Sequence, residues 1–267
     1  MKASARAYGA IISARFRMLL QYRAAALAGM GTQLFWGLIL TMIYEAFYRS
    51  STTPQPMSYP QVVTYIWLGQ AMLAMFPWNL DRDIREVIRN GNVAYELLRP
   101  LDLYWFWYAR ALAWRSAPTL LRSLPIFVVA LLFLGMQPPA SWASAGAWLV
   151  TTVGALLLSC ALSTVMAISL LWTISGDGIS NLLPALGLVC SGMQMPLPLF
   201  PPWARSVLEF LPFRGLTDTP FRLYMGHLPP QQVLPLFLHQ LAWTAALIAL
   251  GRWILARGLR RIVIQGG

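Results

Sequence analysis

Six stretches of this chain carry almost nothing but apolar side chains, and each is near the length needed to cross a bilayer. They run over residues 24–48, 61–80, 118–136, 145–172, 182–200 and 233–255. A hydrocarbon core about 30 Å thick takes roughly 20 helical residues at about 1.5 Å of rise each. Backbone groups in lipid have to pair internally, so blocks this long are helices. A barrel would show short alternating strands instead. The sequence therefore predicts an all-α integral membrane protein with six transmembrane helices. Charged residues make up only 11% of the chain, against roughly 25% in a soluble domain. That disfavours a soluble enzyme and excludes a disordered tail protein.

Basic residues between the blocks set the orientation. Lys2, Arg6, Arg15, Arg17, Arg23, the seven arginines from Arg82 to Arg122, and Arg252, Arg257, Arg260 and Arg261 fall on one side. Only Arg49, Arg205, Arg214 and Arg222 fall on the other, sixteen against four. Cytoplasmic flanks are enriched in Lys and Arg, so the N- and C-termini are both expected to be cytoplasmic. Trp78, Trp114, Trp172 and Trp253 lie near inner ends and Trp142 and Trp203 near outer ends, as interfacial belts do. The arginines are spread between apolar blocks and form no single solvated patch, so the net charge of +11 points to a membrane surface and not to nucleic acid. Cys160 and Cys190 both fall inside blocks, at a spacing that suits neither a metal site nor a disulfide framework. The N-terminal segment lacks signal-peptide shape, because its first apolar block is too long and no small-residue cleavage site follows.

Residues 1–23 read as an amphipathic N-terminal interfacial helix. Tyr8, Ile11, Ile12, Phe16 and Leu19 recur on one face, and Arg6, Ser13 and Arg17 lie on another. A plain charged lead-in to the first span is the alternative. Two connections are short, 137–144 with Pro138 and Pro139 as breakers, and 173–181. Two are long, 81–117 on the cytoplasmic side and 201–232 outside. Long connections carry function more often than short ones. In 81–117, local rules predict a helix to Asn90, a left-handed stop at Gly91, and a short helix over 93–98 capped by Asn92. Pro100 ends that helix, and Asp102 caps a third one running towards the third span. The short helix has charged ends and an apolar middle of Val93, Leu97 and Leu98, a form suited to a groove in a partner.

The string IRNGNVAYELLRPLD, between the second and third of six spans, resembles the permease subunits of ABC-2-type transporters, in particular a bacterial subgroup of exporter permeases. The similarity extends to the basic amphipathic start, the short third-to-fourth turn and the stretch LPFRGLTDTPFRLYMG before the last span. Its most specific part is the G-x-V-x-Y-x-L-L-R-P-L run. The resemblance implies a twelve-helix unit of two permease subunits, the same or homologous, with ABC ATPase subunits docked below. It makes the short helix a coupling helix that inserts into the ATPase. By position this falls on Gly91, Asn92, Tyr95, Glu96, Leu97, Leu98, Arg99 and Pro100, with Arg85 and Arg89 in the helix before. It makes Phe213, Arg214, Asp218 and Arg222 parts of external re-entrant helices that gate the exit. It implies the bacterial cytoplasmic (inner) membrane, a multi-pass arrangement, and ATP and Mg bound by the partner ATPase with no cofactor on this chain. The only lysine is Lys2, so the chain holds no GxxxxGK[ST] P-loop, and ATP hydrolysis would belong to another subunit.

Other polar residues have two readings. Glu45, near an outer end, either reaches water or contacts substrate. Asp177, between Gly176 and Gly178, either forms a turn or meets the motor subunit. Arg214 to Asp218 and Asp218 to Arg222 are each four apart, so helical ion pairs fit there. They either anchor a surface helix, with Glu209 nearby, or form a gate contact. Gly187 and Ser191 form a small-xxx-small pair that suits packing within the subunit or a dimer seam. Gln33, Thr41, Gln70, Ser163, Thr164 and Gln194 either line a path or bond between helices. Met193 and Met195, near Pro196 and Pro198, suit an adaptable apolar lining. His227 and His239 lack companions at metal-ligand spacing, and His239 reads as an interhelical polar contact. The six cytoplasmic acids lie amid arginines and read as interface charge.

No catalytic constellation is present in the sequence. An apolar, aromatic path favours export of hydrophobic or amphiphilic molecules such as drugs, with lipid or lipid-linked glycan next. A stand-alone secondary transporter or channel would usually need intramembrane ionisable residues or symmetric broken helices, and these are lacking. A membrane-embedded lipid enzyme would need a polar cluster at the interface.

Overall fold

The structure is a computed structural model that describes residues 2–21, 23–172 and 177–260. Among these residues every regular element is helical. The main helices are α1 (Lys2–Leu20), α2 (Arg23–Ser50), α3 (Tyr59–Met72), α4 (Arg82–Arg89), α5 (Val93–Leu97) and α6 (Leu103–Phe133). They continue as α7 (Trp142–Ser169), α8 (Asp177–Cys190), α9 (Pro202–Phe210), α10 (Asp218–Tyr224) and α11 (Val233–Leu259). Four helical stretches are long and apolar enough to cross a membrane: Leu27–Ser50, Leu103–Phe133, Trp142–Ser169 and Pro230–Leu259. Gly178–Cys190 is a shorter apolar helix.

Two of the six expected blocks are not continuous helices. The block at 61–80 is helical only to Met72, followed by a single 3-10 turn at Leu73–Met75. Phe76 then adopts an extended backbone (φ −65°, ψ 143°). It precedes Pro77, whose ring excludes the helical region for the residue before it. The block at 182–200 is helical only to Cys190 and then turns at Gly192, whose φ of +85° belongs to the left-handed region. A Cβ there would lie 2.5 Å from the Tyr65 hydroxyl, so close approach also demands glycine. The third span departs in the opposite direction. It is not a new helix from Pro118 but the second half of α6, which runs unbroken through Pro118 and Pro125. Proline is tolerated in membrane helices where neighbouring helices re-satisfy the freed backbone groups.

α7 is the centre of the molecule and packs against α11, α6 and α10. Buried amides lock these layers. Gln240 of α11 donates to the Thr151 carbonyl (2.9 Å) and to the Gly215 carbonyl (2.7 Å). Gln33 of α2 donates to the Gln70 carbonyl of α3 at 2.8 Å. α3 is buried almost throughout, between α2 and α6. The outer face of α2 leaves Phe35, Trp36, Met42 and Ile43 exposed, as a helix bordering lipid does. α1 keeps the expected amphipathic split, and its apolar side rests on α6. Tyr8 and Ile11 pack into the core there, while Arg6, Ser13 and Arg17 are exposed.

Candidate functional site

The connection between α3 and α6 folds back on the body of the protein and presents one small outward face. Asp81 caps α4 by accepting the Asp83 N–H at 3.1 Å. Gly91 takes the expected left-handed conformation, with φ +71°. Asn92 occupies the position before α5, but its side chain makes no capping bond because its own backbone is near-helical (φ −69°, ψ 0°). Asp102 starts α6 by accepting the Trp105 N–H at 3.1 Å.

α5 has two faces. Val93 and Glu96 are buried, whereas Tyr95 and Leu98 are 71% and 80% exposed. Leu97, Arg99 and Pro100 are exposed as well. Glu96 is thus not surface charge. Its carboxylate accepts the Trp107 indole N–H at 2.7 Å and Arg110 Nη1 at 3.4 Å. Arg110 reaches the other way to Asp81 and Asp83, both at 3.2 Å. Arg15 of α1 joins the same two acids at 2.7 and 3.0 Å. Asp81, Glu96 and Arg110 are all buried, and buried charges persist only when paired. The reading of the cytoplasmic acids as interface charge is corrected here, because Asp81 and Glu96 are spent inside the chain. Of the remaining expected residues, Arg85 donates to Ser180 of α8 at 3.4 Å, and Arg89 and Asn92 are exposed. The Arg99 guanidinium lies 5.0 Å over the Phe106 ring.

Just above this network Arg115 clamps the broken end of α3. It donates to the Phe76 carbonyl (2.8 Å), the Asn79 carbonyl (2.5 Å) and Ser163 Oγ (3.2 Å). The arrangement ties α1, α4, α5 and α6 into one brace, with Tyr95 and Leu98 at its tip.

The other long connection builds a second cluster. Asp218 is buried; it accepts the Leu197 N–H at 3.2 Å, the Tyr65 hydroxyl at 3.3 Å and Arg222 Nη1 at 3.3 Å. Burial pushes the Asp218 carboxyl up from its ordinary range, against the pull of the Arg222 charge. Arg222 also donates from Nε to His227 Nδ1 at 3.1 Å and pairs with Glu209 at 3.7 Å. Burial, and then Arg222, push the His227 ring down. The expected Arg214–Asp218 pair does not form among the described residues. Arg214 sits in a 3-10 turn, Pro212–Leu216, and Thr217 (φ −138°, ψ −55°) breaks the register before α10 begins. Phe213 packs beside Gly187.

Gly187 and Ser191 are both used within the chain. A Cβ on Gly187 would meet Phe76 at 3.1 Å. The Ser191 carbonyl accepts from Thr217 Oγ1 at 2.6 Å and from the Asp218 N–H at 3.2 Å. Gln194 has an exposed side chain, and its carbonyl accepts the Tyr44 hydroxyl at 3.2 Å. Glu45 pairs with Arg49 at 2.6 Å, and His239 meets the Phe210 carbonyl at 3.0 Å. The side chain of Asp177 lies outside the described residues. Arg15, Trp107, Arg110, Arg115 and Tyr65 were not singled out from the sequence as site residues. The only local signal for two of them is a pair of arginines, Arg110 and Arg115, in an otherwise apolar run.

A family model described as ABC-2 family transporter protein matches residues 28–266. No curated protein and no solved structure matches the chain.

Proposed function

The chain belongs to the ABC-2 transporter family and is a multi-pass membrane protein, and from that premise we propose that it is the permease subunit of an ATP-driven exporter. Six spans are assigned by adding α3 with its 3-10 turn and α8 to the four long helices. α3 and α8 have 14 residues each, about 21 Å at the usual rise. Arginine asymmetry supports cytoplasmic termini and a coupling face on the α5 side. Two such subunits enclose the path, and separate ATPase subunits bind ATP and Mg. The apolar, aromatic character of the spans favours hydrophobic or amphiphilic cargo, with drugs as the reference class, at a bacterial inner membrane. The outer cluster around Asp218 and Arg222 would close the far end of the path.

The observation that carries this reading is the exposed pair Tyr95 and Leu98 on a short helix whose other face is locked to α6. A mobile loop could not transmit a push. A helix anchored through Glu96 to Trp107 and Arg110 moves α6 when a partner moves it. Tyr95 and Leu98 supply the apolar surface that a groove in the ATPase would take up. Within this reading Glu96 is a positioning residue, not a contact.

The test is co-purification of the tagged chain from mild detergent with a P-loop subunit. Tyr95→Ala with Leu98→Ser should release that subunit and abolish ATP-dependent transport at unchanged thermal stability. Retention of the subunit by this variant would overturn the coupling face. Topology has its own check. Cysteines at Asn92 and Gln231, both exposed, should react with an impermeant maleimide from opposite sides of the membrane. These positions are preferable to Gly91 and Gly226, whose φ values of +71° and +70° penalise any side chain.

A further inference from the structure

A cavity of about 640 Å³ opens between α1, the segment from Leu73 to Asp83, and the middle of α6. We propose that it holds the headgroup of an anionic phospholipid from the leaflet on the α1 side. Neither the family assignment nor the coupling face requires this site.

Charge is the first argument. Arg15, Arg82, Arg115 and Arg122 line the cavity, against Asp81 and Asp83. Both acids are already taken, since Arg15 and Arg110 bind them from either side. Arg115 is spent on carbonyls and Ser163. Arg82 and Arg122 have no ion pair and no hydrogen bond to any described residue, and Arg122 Nε is buried without a partner. An arginine on an apolar span without a counter-charge is costly and marks a functional position. Two free guanidinium forks facing one cavity suit a phosphate, which accepts from both nitrogens of each fork.

Depth is the second argument. The Arg122 guanidinium packs against Gly29, where an added Cβ would come within 2.5 Å of it. Gly29 lies near the start of the apolar stretch Leu27–Ser50, at the level where lipid headgroups meet hydrocarbon. Trp78 and Trp114 line the same cavity, and indoles favour that depth. The remaining wall is apolar, with Met18, Leu19, Leu73 and Leu121. A free phosphate would gain nothing from that wall, whereas the glycerol and first methylenes of a lipid would cover it. The volume is within the range that takes a small ligand or headgroup.

The test uses the full chain in nanodiscs of phosphatidylcholine, with or without phosphatidylglycerol. Phosphatidylglycerol should raise the melting temperature of the wild-type chain by about 3 °C, the shift expected for about 1 kcal/mol of linked binding at this size. Arg82→Gln with Arg122→Gln should abolish the rise. A rise that survives in this variant, or no rise in the wild type, overturns the proposal. Millimolar inorganic phosphate added to phosphatidylcholine discs should do nothing; an equal rise from phosphate would make the site one for a soluble anion. Native mass spectrometry of the unmutated chain needs no variant to fold. It should retain phosphatidylglycerol over phosphatidylcholine at least tenfold, and equal retention overturns the site.

Discussion

The two long connections answer the same problem, a buried carboxylate, in different ways. On the α5 side, Asp81 and Glu96 are held by Arg110, and Asp81 also by Arg15, so the pairs join α1, the start of α4, α5 and α6. On the α10 side, Asp218 is held mainly by Arg222, four residues along its own helix, with Tyr65 and the Leu197 N–H as neutral donors. The first cluster ties together elements as far apart as Arg15 and Asp81 in sequence. The second also reaches other elements, Tyr65 of α3 and Glu209 of α9, but the counter-charge of its buried carboxylate lies on the same helix. A buried carboxylate whose counter-charge lies on another element couples the two elements, whereas an intrahelical pair keeps a local shape. By this measure the charged pairs brace more elements on the α5 side than on the α10 side.

The strongest way to break the comparison is to remove the cation from each cluster. Arg110→Ala leaves Glu96 with only the Trp107 N–H, and Asp81 with Arg15 and the Asp83 N–H. The cost should be about 3 kcal/mol, as for other buried pairs stripped of one partner. Thermal unfolding should show it as the largest drop among these variants, and Glu96→Gln added to Arg110→Met should recover much of it. Arg222→Ala should cost less, because the Asp218 carboxyl is already pushed up by burial and can take a proton. Equal losses for the two arginine variants would mean that both clusters are braces.

The sequence made part of this legible. Gly91, Pro100 and Asp102 mark the ends of α4, α5 and α6 through local backbone rules, and those rules act wherever the residues sit. Which face of α5 points inward was not legible. Five residues hold less than two helical turns, too few for a periodic signal. A glutamate there reads as exposed until Trp107 and Arg110 are known to approach it. The Arg15 contact with Asp81 crosses 66 positions and leaves no local trace. Span lengths failed for a similar reason. Apolar composition does not distinguish helix from buried turn, so the break at Phe76 and the turn at Gly192 were absorbed into their blocks. Pro77 was the available signal for the first. Pro118 misled in the other direction, since packing carried α6 through it.

A smaller effect separates the clusters by pH. His227 accepts from Arg222 Nε at its Nδ1, so that atom must be unprotonated. Its ring is held below the ordinary value of 6.5. For a group so lowered, the unfolded chain binds the proton first. Stability is complete above 6.5 and is lost as pH falls below it towards the folded-state value. Asp218 has the opposite sign, its contribution being fullest below the ordinary 3.8 and lost as pH rises through its raised folded-state value. That contribution is common to wild type and His227→Gln and cancels between them. The difference in melting temperature between the two chains should therefore shift between pH 7 and pH 5, with the wild type losing more on acidification. An unchanged difference would remove His227 from the α10 cluster.

The smallest expected effect lies at the edge of the α5 network and sets its boundary. Arg252 of α11 pairs with Asp102 at 3.3 Å, with both side chains nearly half exposed. Exposed pairs contribute about 0.2–1 kcal/mol and are screened by salt. Arg252→Ala should therefore lower the melting temperature barely at all, and less still at high ionic strength. Asp102→Ala removes something different. The same carboxylate accepts the Trp105 N–H as the cap of α6, a loss of about 1 kcal/mol that salt does not screen. The Tyr8 hydroxyl stays, because it accepts the Asp102 backbone N–H at 3.0 Å and not the side chain. If Arg252→Ala proved as damaging as Asp102→Ala, α11 would be a working member of the brace. The expected order, cap above ion pair, confines the brace to α1, α4, α5 and α6.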